Sequence, residues 1–248
     1  LTFSSGKNGD ISILKSLKNT HPIDLIAEIR SFPIKKYDLV LSDFEPVSAW
    51  SALLNGVPCI ELSHQAAVVH PLAPKPEGRA AFGRYVLQHY TPSRQKYGFH
   101  FKSYDERVFT PVIRHEIRNA QPTDQGHYTV YLPGYHDDVL MHFLRQFDVR
   151  WEVFSKYAQY AYRVDNVFIE PISQQRFQQS LISATGVLCG AGFELPSEAL
   201  YLGKNTMVIP MKGHYEQTCN ALGAADVGAT TIPELDLLYH RQINYWLE

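Results

Sequence analysis

A chain of 248 residues with 23 basic and 25 acidic side chains carries a formal net charge of −2, and no basic stripe stands out, which argues against nucleic acid as a partner. The apolar fraction of 45% and charged fraction of 19% are those of an ordinary soluble globular protein, long enough for one large domain or two small ones. No apolar run approaches about twenty residues, the length of a spanning helix, and no signal peptide is visible.

From the start, Leu1–Gly9 reads as a strand or hairpin fragment. Ile11, Leu14 and Leu17, then Ile23, Leu25, Ile26 and Ile29, follow helical spacing, with Pro22 as a break. Tyr37–Asp43 reads as a strand, Pro46–Leu54 as a helix ended by Asn55-Gly56, and Val57–Leu62 as the next strand, running into Ser63-His64-Gln65. Such a β-α-β unit is parallel and right-handed. Ala73–Gly83 is a loop, Tyr85–Tyr90 a short helix, and Phe99–Val112 carries short strands. Pro111 and the polar run Arg118–Gly126 mark a boundary, so a first domain over 1–110 and a linker over 111–126 precede a second domain over 127–248.

The second array starts with a strand at His127–Leu132. Pro133-Gly134 turns it into a helix over about Asp137–Phe147, and strands follow at Val149–Phe154 and Asn166–Glu170. Ser173–Ala184 reads as a helix with a serine cap. Two successive β-α-β arrays imply an α/β protein of two Rossmann-like domains facing across a cleft. Cys59, Cys189 and Cys219 show no paired spacing, so they read as reduced, buried thiols in a cytoplasmic protein. Eleven histidines show no HExxH spacing, and no metal site is expected.

The densest chemistry lies in Thr185–Ala221. A buried strand ending at Cys189 meets the turn Gly190-Ala191-Gly192, and Pro196-Ser197-Glu198 is expected to open a helix. Unpaired N–H groups at a helix start, added to its dipole, suit a phosphate, and Glu198 one turn further in suits sugar hydroxyls. Met207–Pro210 is the next strand, with His214, Glu216, Gln217 and Asn220 beyond its carboxyl end. Any α/β protein contains glycine turns; it is the cluster of polar groups on adjacent strand ends that sets this stretch apart.

In the order SDFEP (42–46), SHQ (63–65), GFELPSEALYLGK (192–204) and VIPMKGHYEQTCNA (208–221), the sequence resembles GT-B glycosyltransferases, in particular the family 28-like group of the peptidoglycan N-acetylglucosaminyltransferase. The resemblance implies that the first domain lacks the N-terminal β-α-β unit of its relatives. It implies a UDP-sugar donor, a glycan, lipid or small-molecule acceptor, inversion by direct displacement, and no metal or other cofactor. A lipid-linked acceptor would bring the first domain to a membrane surface.

By the same resemblance, Glu198 holds the ribose hydroxyls, and Gly190, Ala191, Gly192, Phe193 and Glu194 lie along the pyrophosphate. Ile172 stands where main-chain groups grip the uracil edge, Arg114 in PVIR meets a phosphate, and Gly134 offers further N–H groups. His214, Glu216 and Gln217 contact the donor sugar and phosphates, with His214 alternatively capping the helix that starts near Tyr215. On the acceptor side stand Glu45 and Gln65, with Asp43 or His64 as candidates for the base that takes the acceptor proton, in competition with a Gly-rich, His-containing loop that relatives carry in their N-terminal β-α-β unit. Asp43 serves equally well as a helix cap. The competing readings are a non-catalytic nucleotide-sugar-binding or partner subunit and a UDP-sugar 2-epimerase.

Overall fold

The computed structural model describes residues 22–77 and 81–248. The strand expected at Leu1–Gly9 and the helical pattern of Ile11, Leu14 and Leu17 lie outside the described residues. The chain divides into two compact units between Val112 and Ile113.

The first unit is a parallel four-stranded sheet in the order β1 (Val40–Ser42), β2 (Cys59–Ser63), β3 (Gln95–Phe99), β4 (Val108–Phe109). Helix α1 (Pro22–Ser31) starts on the proline that the sequence reading took as a break, because a first-turn proline forfeits no needed hydrogen bond. Helix α2 (Pro46–Asn55) ends at Gly56, whose φ of 70° only glycine adopts without cost. Helix α3 (His64–Val68) presses onto β3 so closely that a Cβ on Gly98 would stand 2.4 Å from the Ala67 nitrogen. Helix α4 (Ala81–His89) begins inside the stretch read as a loop.

A buried ion pair crosses this sheet. Glu61 is fully buried and meets Lys96 Nζ at 2.6 Å, while Ser63 Oγ donates to Glu61 Oε1 at 2.9 Å. Pairing offsets part of the cost of taking such groups out of water. A groove of about 720 Å³ between α1, α2 and α4 is lined by apolar groups such as Ile26, Trp50 and Tyr85, and holds none of the candidate site residues.

The second unit is a seven-stranded sheet in the order β11-β10-β9-β5-β6-β8-β7. Its strands are β5 (His127–Tyr131), β6 (Arg150–Ser155), β7 (Tyr162–Val164), β8 (Val167–Pro171), β9 (Gly186–Gly190), β10 (Asn205–Ile209) and β11 (Thr230–Thr231). All pair in parallel except β7 with β8, a hairpin edge absent from the sequence reading. The chain runs from β5 outward to β6 and β8, then returns past β5 to β9 and continues to β10 and β11. Right-handed crossovers in opposite directions place helices on opposite faces. Helices α6 (Asp137–Leu144) and α10 (His240–Leu247) cover one face, over Val130, Trp151, Val153, Ile169 and Met207. On the other lies α7 (Gln174–Ser183), where Ser180 Oγ and Thr129 Oγ1 are 2.7 Å apart.

The segment 111–126, read as a linker, makes hydrogen bonds to this unit. After the short α5 (His115–Arg118), Thr123 N–H donates to Ile182 O and Gln125 N–H to Ser183 O, at 3.1 and 2.8 Å. Lys204 Nζ donates to Thr123 O at 2.7 Å. Among the described residues no helix is long and apolar enough to cross a membrane.

Candidate functional site

The strand order reverses between β5 and β9, and the carboxyl ends of strands at such a switch point form the usual ligand crevice of an open α/β sheet. The loops there are 132–136 after β5 and 191–193 after β9, with 210–214 beside them after β10.

Helix α8 spans Glu194–Tyr201 and so begins two residues before the expected Pro196. The proline sits in the third helical position, where its missing N–H costs nothing because first-turn donors have no partner inside the helix. Ser197 N–H already bonds Phe193 O at 3.2 Å, so Glu194 and Leu195 supply the N–H groups that lack an intrahelical acceptor.

The turn before it corrects the expectation for Ala191. Its N–H donates to Ile209 O at 3.0 Å and its carbonyl accepts from Asn220 Nδ2 at 3.2 Å, so it has no N–H to offer. Gly190 closes strand β9 beside Ile209. At Gly192 φ is not positive and an added Cβ would meet nothing within 4 Å among the described residues, so neither the backbone nor those residues demand glycine there. Asn220, read from sequence as a packing residue, is fully buried and ties the turn to α9 (Tyr215–Ala225). Asn220→Ala leaves the Ala191 carbonyl unbonded and is expected to cost about 1–3 kcal/mol in urea unfolding; an unchanged midpoint would show that the bond carries no weight.

Glu198 is 4% exposed. Arg114, 84 residues earlier, donates to it through both arms of its fork, Nε to Oε1 and Nη2 to Oε2, each at 2.6 Å. A planar bidentate pair of this kind is the strongest form of carboxylate hydrogen bond. The Arg114 side chain keeps 45% of its surface exposed while that of Glu198 keeps 5%. Two residues expected to hold different parts of a nucleotide are thus joined to one another.

Beyond β10, His214 is the N-cap of α9, and its Nδ1 accepts from Gln217 N–H at 3.4 Å. The accepting nitrogen is unprotonated, and burial lowers the imidazole pKa from its ordinary value near 6.5. Because the folded pKa lies below the unfolded one, the unfolded chain binds the extra proton. Stability is therefore full above pH about 6.5 and declines as pH falls below it. His214→Asn retains a capping oxygen, so its unfolding free energy between pH 7.5 and 5.5 should change less than that of the parent; equal slopes would refute this role. Gln217 Oε1 accepts from Met211 N–H at 2.8 Å, which fixes the loop, and its amide NH2 has no acceptor among the described residues. Glu216, half-buried, lies in the first turn of α9.

Gly134 stands in a turn three residues before α6, not at the helix start. That start already carries Asp137 and Asp138, and the Asp137 carboxylate accepts from Ser155 Oγ and Tyr162 Oη, so an anion there would meet like charge. Ile172, just past β8, is 48% exposed.

In the first unit the candidates gather at the carboxyl ends of β1 and β2. Glu45, rather than Asp43, is the N-cap of α2: Oε1 accepts from Val47 N–H and Oε2 from Ser48 N–H, each at 2.7 Å. Burial alone would raise its pKa, but these bonds win and hold it below the usual value. Asp43 is exposed. His64 is buried at the start of α3, with Nδ1 at 2.8 Å from Phe99 O. A carbonyl only accepts, so Nδ1 is the donor in this contact. Gln65 beside it is half-buried.

The chain matches the model of glycosyl transferase family 1 over residues 13–247. No curated protein matches its sequence. Among solved structures it is similar to Acinetobacter baumannii MurG (19% identical, covering 90% of this chain and 70% of that one, TM-score 0.54). It is also similar to Arabidopsis thaliana UGT89C1 complexed with UDP (14% identical, 100% and 76% covered, TM-score 0.59). The glycotransferase of kitacinnamycin is a third (16% identical, 92% and 73% covered, TM-score 0.57). At these identities the structural likeness shows a shared fold, that of the GT-B glycosyltransferases whose motif order the sequence resembles. Since the family model spans nearly the whole sequence and the fold agrees with it, this chain belongs to glycosyl transferase family 1 and is a glycosyltransferase.

Proposed function

We propose that this glycosyltransferase uses a UDP-sugar donor and transfers its sugar, with inversion and without a metal, to an acceptor hydroxyl. The carrying observation is Glu198: a buried carboxylate held by an arginine fork, on the helix that follows β9 at the switch point. Cis-hydroxyls of a ribose are apt donors to such a group. Gly192, where none of the described residues requires glycine, leaves room for a diphosphate against the N–H groups of Glu194 and Leu195. The unused NH2 of Gln217 is a donor for a sugar hydroxyl or phosphate oxygen. UGT89C1, of similar fold, was solved with UDP bound.

In this reading the second unit binds the donor and the first the acceptor. As the acceptor oxygen attacks the anomeric carbon, its proton passes to Asp43 or to His64. The bond from carbon to the diphosphate oxygen breaks, and the charge gathering on UDP is met by helix-start N–H groups. Metal independence rests on that assignment.

Thermal-shift screening of UDP-sugars tests the donor class, because a ligand that binds only the folded state raises its melting temperature. Stabilisation by UDP and by at least one UDP-sugar is expected, together with slow UDP release from that sugar in water. Failure of every uridine nucleotide to bind would overturn the reading, and a product inverted at C2 without UDP release would replace it with epimerisation.

A further inference from the structure

Among the described residues two that are not glycine have positive φ, Phe44 and Asp165, each at 53°. Asp165 is exposed and of a residue type that tolerates the left-handed region. Phe44 is bulky, and glycine or asparagine would make the same turn at less cost. It lies in the two-residue step from β1 to the cap of α2, between Asp43 and Glu45. Backbone strain of this kind persists only where the surroundings over-determine it, and it gathers at sites that work.

Here the surroundings do so. Ser42 Oγ donates to Glu45 O at 3.1 Å and accepts from Glu45 N–H at 3.2 Å, which clasps the step shut. The Glu45 carboxylate is committed to Val47 and Ser48. The Phe44 ring packs on Tyr90 with centroids 5.0 Å apart, and the Tyr90 carbonyl accepts from Trp50 Nε1 at 3.0 Å, which ties that support to α2. From Ser42 to Glu45, every side chain but one holds the turn. The exception is Asp43, exposed at the carboxyl end of β1, where open α/β sheets meet their ligands, with no hydrogen-bond or ion-pair partner among the described residues.

We propose that Phe44 is a positioning residue: its left-handed backbone, pinned by the ring on Tyr90, fixes the direction of the Asp43 carboxylate toward the acceptor hydroxyl. This rests on the reading of Asp43 as a base given under Proposed function. As the acceptor oxygen bonds to the anomeric carbon and the diphosphate leaves, the hydroxyl proton passes to that carboxylate. A base serves only when held within hydrogen-bond reach of the proton it takes. Glycine would relieve the backbone but leave the turn, and so the carboxylate, free to swing.

The test measures UDP release by the full chain from the UDP-sugar that thermal shift selects. Water is one acceptor; azide, which has no proton to give up, is the other. In water, Phe44→Gly and Phe44→Ala are each expected to lower kcat about tenfold or more at unchanged KM for the donor. Phe44→Tyr, which keeps a ring for Tyr90, should recover most of that loss. With azide the glycine and alanine variants should stay within about threefold of the parent, because no base is needed. In urea, glycine at a positive φ should unfold at a higher midpoint than alanine, so the more stable of the two is expected to be no faster.

A Phe44→Gly variant with the parental kcat in water overturns the inference, since the turn then serves the fold alone. A loss of the same size with azide as with water overturns it too. An alanine midpoint at or above that of glycine removes the left-handed backbone on which it stands. Asp43→Ala tests the underlying reading separately: it should fall about 100-fold or more in water and recover with azide. If a folded Asp43→Ala variant keeps the parental rate in water, the base reading has failed and the inference falls with it.

Discussion

Glu198→Ala is expected to weaken UDP binding by about 100-fold or more, because two hydrogen bonds to a charged acceptor, at about 1.5–3 kcal/mol each, are lost together. The fold should tolerate the change. Glu198 stands on α8, where alanine is the best helix former, and its partner Arg114 is nearly half-exposed, so water can solvate the abandoned guanidinium. Melting close to that of the parent with UDP affinity collapsed is the expected pair of results in calorimetry and thermal unfolding. A variant that binds UDP as well as the parent would remove the donor assignment. One that merely melts early, with affinity intact, would make Glu198 a structural residue.

Trp151→Ala is the largest expected blow to stability. The ring is fully buried on β6, and its Nε1 donates to Leu144 O at 2.9 Å. It packs against Tyr128 with ring centroids 5.4 Å apart, and against Trp246 and Phe147 at 6.4 Å each. Truncation opens a cavity at the centre of the second unit and is expected to cost about 3–5 kcal/mol, a large share of the 5–15 kcal/mol that typically holds a domain folded. Trp151→Phe refills most of the space and loses the bond to Leu144 O, which still accepts from Phe147 N–H at 3.1 Å, so a smaller loss of about 0.5–1.5 kcal/mol is expected. Urea unfolding followed by far-UV circular dichroism separates the two. Equal midpoints for alanine and phenylalanine would mean that packing contributes nothing beyond the hydrogen bond.

Much of the parallel core was legible because buried parallel strands are short apolar runs, such as GVLC at 186–189 and TMVI at 206–209. Helix starts were less so. Pro196 looks like the opening of α8, yet a residue without an N–H fits anywhere in the first turn, and the sequence does not say which position it takes. Asp43 and Glu45 both look like caps for α2; Pro46 in the first helical position favours Glu45, a signal present in the sequence and not used. The β7–β8 hairpin turns at Asp165, with φ of 53°, and Asn166, polar residues that read as loop when the three-residue strand before them is too short to show alternation.

Site residue types were readable and their partners were not. Nothing local couples Arg114 to Glu198 across 84 residues, or Asn220 to Ala191 across 29; only the fold brings them together. The same limit explains Ala191, whose N–H looked available until the edge of β10 was seen to accept it.

A structure of the chain crystallised with UDP bears most directly on the account. The ribose O2′ and O3′ should lie within hydrogen-bond distance of the Glu198 carboxylate, and the diphosphate against the N–H groups that open α8. A uridine nucleotide seated elsewhere, or one whose ribose leaves Glu198 bonded to Arg114 alone, would contradict it.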